Sequence, residues 1–279
     1  HTPPTGHRAL NSKNLATPSA AQIVRPQRHF DTVLYSGDNA TTRSITGFEF
    51  APDLIIIKRR NAVSSFTVWD SVRGVNKALY TEDTYAETTS GQYGYITEFG
   101  SNGFTFSLTN ADGLNASGST YCAWCWKAGG AAVSNSDGTI TTSISANQTA
   151  GLSVVTYTGT GSAATIGHGL GKAPKVVITK LRDTTTQDWF FLTGEIYNDR
   201  GKYQKFNESG GIVSDIHTFP PTAPTSTVFT VGGEDGGNSS NGNGSKYVAY
   251  CWAEIPGYSK FGKYTGNFNA NGTYIHLGF

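Results

Sequence analysis

Methionine is absent from the 279-residue chain, cysteine occurs three times, and charged side chains make up only 15% of it. Three cysteines cannot close a disulfide framework, and a chain of this length can build its core without one. The redox compartment therefore stays open. Lys plus Arg number 21 against 20 Asp plus Glu, a formal charge of +1. A balance this even lacks the clustered basic face by which proteins displace counterions from nucleic acid, and it gives no polybasic membrane-surface signal. No run approaches the ~18 uninterrupted apolar residues of a membrane helix, and no basic-flanked apolar segment opens the chain. A soluble protein is expected, with no membrane insertion and no nucleic-acid partner. Because it starts at His1 and holds no methionine, the chain is expected to be a piece of something longer.

What is plentiful is glycine, 34 residues, and aromatic side chains, 12%. With Ser, Thr and Asn crowding the stretches between apolar runs, this composition fits many short strands joined by tight turns. At about 150 residues per domain the length allows roughly two domains.

An internal repeat gives the division. Val33-Leu34-Tyr35-Ser36-Gly37 returns as Val155-Thr156-Tyr157-Thr158-Gly159, and Ala51-Pro52-Asp53-Leu54 returns as Ala173-Pro174-Lys175-Val176. Both are displaced by 122 positions, 35 to 157 and 52 to 174. Tyr121-Cys122-Ala123-Trp124-Cys125-Trp126 returns as Tyr247-Val248-Ala249-Tyr250-Cys251-Trp252, displaced by 126 positions, 125 to 251. A third start is visible at Lys263-Tyr264-Thr265-Gly266. The organisation expected is an arm over 1–29, a first β-sandwich over 30–130, a Gly/Ser/Asn/Thr-rich linker over 131–149, a second sandwich over 150–257 and the opening of a truncated third copy over 258–279.

Both sandwiches are expected to be antiparallel, jelly-roll-like and nearly free of helix. Strands are expected at Val33–Tyr35, Leu54–Lys58, Phe66–Trp69, Phe104–Leu108 and Tyr121–Trp126, bounded by turn residues. The one segment with any helical character is Val75 to Glu87. Leu54-Ile55-Ile56-Ile57 and Val176-Val177-Ile178 do not alternate in polarity, which predicts strands covered on both faces at the centre of a sheet.

The chemical candidates read mostly as structural. Cys122 and Cys125 have the spacing of a metal or redox pair, but on a strand residues three apart face opposite ways and cannot share an ion. The six histidines, His1, His7, His29, His168, His217 and His276, are scattered without a helical pair. Gly159 to Ser162 and Gly167 to Gly171 look like phosphate loops, yet each leads to a strand, not a helix N-terminus. Glu234 to Asn238 and Asp112 to Asn115 offer oxygen ligands of the kind calcium takes, and are read as solvated turns. Trp69, Trp126, Trp189 and Trp252 could stack on sugar rings, but Trp126 and Trp252 recur in register and are expected to fill the core of each unit. Asp70 meets Thr193 in the second copy, so no acid is repeated there for glycoside hydrolysis. No catalytic, cofactor-binding or metal-binding residue is proposed, and no cofactor.

Several ordered motifs resemble a family. Phe30-Asp31-Thr32-Val33-Leu34-Tyr35-Ser36-Gly37, Ser44-Ile45-Thr46-Gly47-Phe48, Trp69-Asp70-Ser71-Val72-Arg73-Gly74, Asn115-Ala116-Ser117-Gly118 and Trp124-Cys125-Trp126-Lys127-Ala128-Gly129-Gly130 resemble a tandem domain of unknown function from virion proteins of marine tailed phages. Ile166-Gly167-His168-Gly169-Leu170, Tyr247-Val248-Ala249-Tyr250-Cys251-Trp252 and Gly257-Tyr258-Ser259-Lys260-Phe261-Gly262-Lys263-Tyr264-Thr265-Gly266 are similar to the same family. Thr2 to Asn11 is similar to the segment that leaves a SPRY-type, concanavalin-like domain in such chains.

The resemblance implies a tail-fibre or other virion appendage protein, located in the virion with other virion proteins as partners. Tandem units without a repeated chemical constellation add the expectation of a non-enzymatic structural protein that spaces or displays a host-recognition part and is homo-oligomeric. The resemblance supplies no ligand residues. The second unit lacks Asp-Ser-Val-Arg-Gly, so any role of Arg73 belongs to the first. Three other readings stand beside it. One is an adhesin whose loop aromatics, Tyr93, Tyr95 or Tyr203, stack on a host surface glycan. Another is a hydrolase of the host envelope. The last is a secreted bacterial filament or surface-layer protein.

Overall fold

A computed structural model describes residues 23, 25–89, 94–108, 113–183, 187–192, 201–233 and 240–277. The first unit runs through β1 (Phe30–Ser36), β2 (Thr42–Thr46), β3 (Leu54–Arg59), β4 (Thr67–Asp70), β5 (Leu79–Tyr80), β6 (Tyr95–Gly100), β7 (Gly103–Ser107) and β8 (Thr120–Trp126). The second runs through β9 (Val133–Asn135), β10 (Thr142–Asn147), β11 (Leu152–Thr158), β12 (Ala164–Gly167), β13 (Val176–Leu181), β14 (Phe190–Leu192), β15 (Lys202–Lys205), β16 (Val213–Ser214), β17 (Val228–Val231) and β18 (Lys246–Trp252). The fold is all-β and its strand ladders are antiparallel; one 3-10 turn, Pro26–Arg28, is the sole helical element among the described residues. Val75 to Glu87, the segment with some helical character in sequence, holds the short strand β5 and turns instead.

The internal repeat is a repeat of sheet register. The first principal sheet has the order β1-β8-β3-β4-β5, and the second carries β11-β18-β13-β14-β15 in the same places. Phe30 lies opposite Trp126 as Leu152 lies opposite Trp252, and Leu54 opposite Trp126 as Val176 opposite Trp252. Each principal sheet packs on a small one, β2-β7-β6 in the first unit and β12-β17 in the second.

Strand parity sets the cores. Ile55, Ile57, Trp69, Tyr121, Ala123 and Cys125 face the small sheet and meet Ile45, Phe104 and Phe106. Val155, Tyr157, Val177, Tyr247, Ala249 and Cys251 do the same in the second unit, against Ile166 and Phe229. The opposite faces of the two principal sheets then close on each other through Leu54, Val68, Leu79, Leu152, Val154, Val248 and Tyr250. The molecule is thus four layers of sheet with three apolar fillings. This is why the Leu54–Ile57 run has no polar alternation: one face is buried in its own unit and the other against the neighbour.

Two expectations fail here. Residues 131–149 are not a linker, because β9 and β10 extend the second principal sheet beyond β11. Nor do Trp126 and Trp252 fill the units' cores. Both fall on the even-numbered face of their strands, half-buried, and the interiors are filled by Trp69 and the tyrosines.

The repeated Tyr-Ser/Thr-Gly and Asn-x-x-Gly-Ser motifs form one latch at the end of each unit. Tyr35 stacks on Tyr121 at 4.9 Å, and Tyr157 on Tyr247 at 5.0 Å. The Tyr35 hydroxyl donates to the Leu114 carbonyl and that of Tyr157 to the Ser240 carbonyl. The Tyr121 and Tyr247 hydroxyls accept the amides of Ala116 and Gly242. Gly37 and Gly159 let the backbones meet: a Cβ there would lie 2.0 and 2.1 Å from the carbonyl oxygens of Ala116 and Gly242.

Candidate functional site

A buried chain of charged side chains lies at the seam between the units. The turn after β4 carries Asp70-Ser71-Val72-Arg73-Gly74, and it folds back so that the Arg73 amide and Nε both donate to Asp70, at 2.8 and 2.5 Å. Neither side chain is exposed at all. Arg73 Nη2 donates to the Val68 carbonyl, and Nη1 to Glu87 Oε2 at 3.1 Å. From the second unit Arg182 grips Glu87 with two hydrogen bonds, at 2.9 and 3.0 Å, and Tyr250 donates its hydroxyl to Asp70 Oδ2 at 2.7 Å. Two carboxylates and two guanidiniums therefore alternate across the seam with a buried hydroxyl at one end.

The electrostatics follow from this chain. Burial opposes the charge of Glu87, but its bonds to Arg182 and the Arg73 charge outweigh that and hold its carboxyl below the usual range. Burial likewise opposes Arg73, while Asp70, Tyr250 and Glu87 keep its guanidinium firmly charged. Burial raises the Tyr250 phenol well above its ordinary value, so it stays a donor. Beside them Lys180, buried on β13, donates to the Gln187 carbonyl at 2.6 Å and to the Thr84 carbonyl of the first unit at 3.0 Å. Burial lowers its amine to about 8, against the pull of Asp188 and Asp83.

Trp189 completes the joint. Its indole is buried, stacks on Tyr250 at 6.2 Å and donates Nε1–H to the Tyr80 carbonyl across the seam at 2.7 Å. At the far end, Trp126 and Trp252 line an apolar groove of about 390 Å³ with Phe30, Leu152, Val176 and Tyr258. The crossover between units is pinned too: the Ala128 amide donates to Asp53, and that of Gly129 to the Ser145 hydroxyl.

One family profile runs through both units and the crossover, matching residues 25–279 under the description Domain of unknown function (DUF7483). The chain belongs to the DUF7483 family. No curated protein and no solved structure matches it. The DUF7483 chain thus has a seam and two latches whose roles rest on geometry alone.

The other sequence candidates separate cleanly. Cys125 and Cys251 face the two cores while Cys122 faces the other way, all three are free, and burial raises each thiol above its ordinary range. His168 is buried, with Nδ1 accepting the Leu170 amide and Nε2 beside the Thr225 carbonyl, the pattern of a neutral ring. Tyr203, expected at a loop tip, is buried in the second core beside Phe190 and Phe219. Tyr95 lies half-buried on β6. His1, His7, Tyr93, Asp112, Thr193 and Glu234 to Asn238 lie outside the described residues. Asn115 braces the latch, hydrogen-bonded to Asp38, Ala40 and Arg43. Among the described residues no group of three His, Cys, Asp or Glu side chains is placed to hold a metal ion.

Sequence reasoning missed Glu87 and Arg182 entirely. They stand 95 residues apart and belong to different units, so no local pattern joins them.

Proposed function

We propose that this chain is a non-enzymatic structural protein of a phage virion, part of a tail fibre or comparable appendage, whose paired sandwiches space or display a host-recognition part. The seam is the observation that carries the reading. What the units share is register and latch, which preserve shape. The charged groups of the seam, Asp70, Arg73, Glu87 and Arg182, are engaged with one another in joining the units. A duplicated unit retained for shape needs only its core and its contacts with its neighbour. The biological setting is taken from the resemblance read in the sequence motifs.

Antibodies raised against the purified chain test it. Applied to intact particles from the source that encodes the chain, they should decorate an appendage in electron micrographs. Finding the chain only in soluble cell fractions, with bare particles, overturns the reading.

A further inference from the structure

The two units are alike in register but not in filling, and the difference is a cavity. In the second unit the open end of the sandwich is closed by Leu181 on β13 and Phe190 on β14, both in the core, with Tyr203 and Phe219 packed against Phe190 at 4.7 and 6.4 Å. Strand register identifies their counterparts. Leu181 lies opposite Tyr247 as Arg59 lies opposite Tyr121, and Phe190 lies opposite Thr179 as Thr67 lies opposite Ile57. The first unit thus has a guanidinium and a hydroxyl where the second has an isobutyl group and a phenyl ring.

The space left is about 700 Å³, lined by Arg59, Thr67, Ser64, Ser65, Glu82 and Tyr121, with Ile57, Val63 and Leu114 as its apolar part. Arg59 shares the strand face of Ile55 and Ile57, which aims its side chain into the sandwich. Its Nε is buried and has no hydrogen-bond partner. A buried guanidinium nitrogen left unpaired is costly, and a carboxylate is the acceptor whose two oxygens fit its fork.

We propose that this cavity in the first unit is a binding site for a small carboxylate-bearing, hydroxyl-rich ligand, an acidic sugar of the uronate or sialate type. Arg59 pairs with the carboxylate. Thr67, Ser64, Ser65 and the rim carboxylate of Glu82 meet the hydroxyls, and Val63, the exposed apolar side chain of the lining, covers the apolar face of the sugar above the buried floor of Tyr121, Ile57 and Leu114. The site goes beyond the structural role above, and it needs neither the seam nor a virion to be correct.

The test is an NMR titration of the full chain with millimolar D-glucuronate, D-galacturonate and N-acetylneuraminate, and with neutral D-glucose. At least one acidic sugar should give saturable shifts at Arg59, Thr67 and Tyr121, with D-glucose weaker by about tenfold or more, the loss of one charge-assisted hydrogen bond. Arg59→Gln should remove the binding. Thr67→Phe, which copies the filling of the second unit, should abolish it while leaving the thermal midpoint unchanged or higher. D-glucose binding as tightly as the acids, full binding by Arg59→Gln or by Thr67→Phe, or no saturable shift with any of the three acids overturns the proposal.

Discussion

Replacing Arg73 with methionine separates a welded pair of units from two units that merely touch. The side chain is wholly enclosed, holds Asp70 at 2.5 Å and Glu87 at 3.1 Å, and donates to the Val68 carbonyl. Methionine fills a similar volume but leaves the equally enclosed Asp70 carboxylate facing the Tyr250 hydroxyl and the Arg73 amide without a cation. Breaking one partner out of a buried pair costs about 3–5 kcal/mol, because a buried charge is left uncompensated. Against a total stability of about 5–15 kcal/mol that is a large fraction. At roughly 2–4 °C per kcal/mol for a chain of this size, the midpoint should fall by about 10 °C. Urea unfolding followed by tryptophan fluorescence and by far-ultraviolet dichroism should give coincident transitions, displaced together with little change in slope. Arg73→Met combined with Asp70→Leu should recover part of the loss, since no charge is then stranded. A change below about 0.5 kcal/mol, the size of an ordinary surface substitution, or two separated transitions of which one stays in place, would refute the weld.

Other consequences can be checked alongside it. Trp189→Ala removes an indole buried against both units and should cost about 3–5 kcal/mol, read by the same unfolding curves. Gly37→Ala and Gly159→Ala force a Cβ to within 2.0 and 2.1 Å of a carbonyl oxygen, and each should destabilise by about 1–3 kcal/mol. The Glu87 carboxyl, held below its unfolded value of 4.5, contributes stability that is full above that pH and lost as the pH falls through the lower folded value. Glu87→Gln should therefore flatten the acid limb of a stability–pH profile. Lys180 runs the other way: its folded value of about 8 lies below the unfolded 10.5, so the unfolded chain binds more protons between them. Stability from this group should rise across that window, by up to about 3 kcal/mol, and Lys180→Met should abolish the rise. Replacing residues 131–149 by a Gly/Ser segment of equal length should lower the thermal midpoint, because β9 and β10 are lost from the second sheet; an unchanged midpoint would restore the linker reading.

How far the sequence could be read depended on whether a feature was local. The 122-residue displacement was legible because the same side chains recur in the same order, and it became identical register on the strands. The Leu54–Ile57 run announced a doubly covered strand, though not that another unit supplied one of the covers. Trp126 and Trp252 were misplaced, yet parity held the answer. Tyr121, Ala123 and Cys125 recur unchanged as Tyr247, Ala249 and Cys251, all on odd positions that share one face; the tryptophans are on even ones. The segment 131–149 was hidden by its Gly, Ser and Asn, which masked Thr142-Ser143-Ile144-Ser145-Ala146-Asn147, where Ile144 points into the core. The ion chain through Arg73, Glu87 and Arg182 had no local sign, because its partners meet only once two complete sheets are face to face.

That face-to-face contact constrains how the molecule extends. The first unit presents Leu54 and Ile56 on β3 and Trp126 on β8; the second presents, at equivalent positions, Val176 and Ile178 on β13 and Trp252 on β18. A contact between like faces is self-limiting, since each covers the other, whereas a head-to-tail contact leaves a complementary surface at both ends. Further units cannot join through this face, which leaves the outer faces of the two small sheets, the sheet edges and the loops. The edges, unlike the faces, differ between the two units. β1 ends the first principal sheet among the described residues, while its counterpart β11 is flanked by β10 and β9. The pair is therefore closed across its seam but polar along its edges. On the proposed reading, the buried seam fixes the two units of a pair to each other and the unequal edges give the pair a direction.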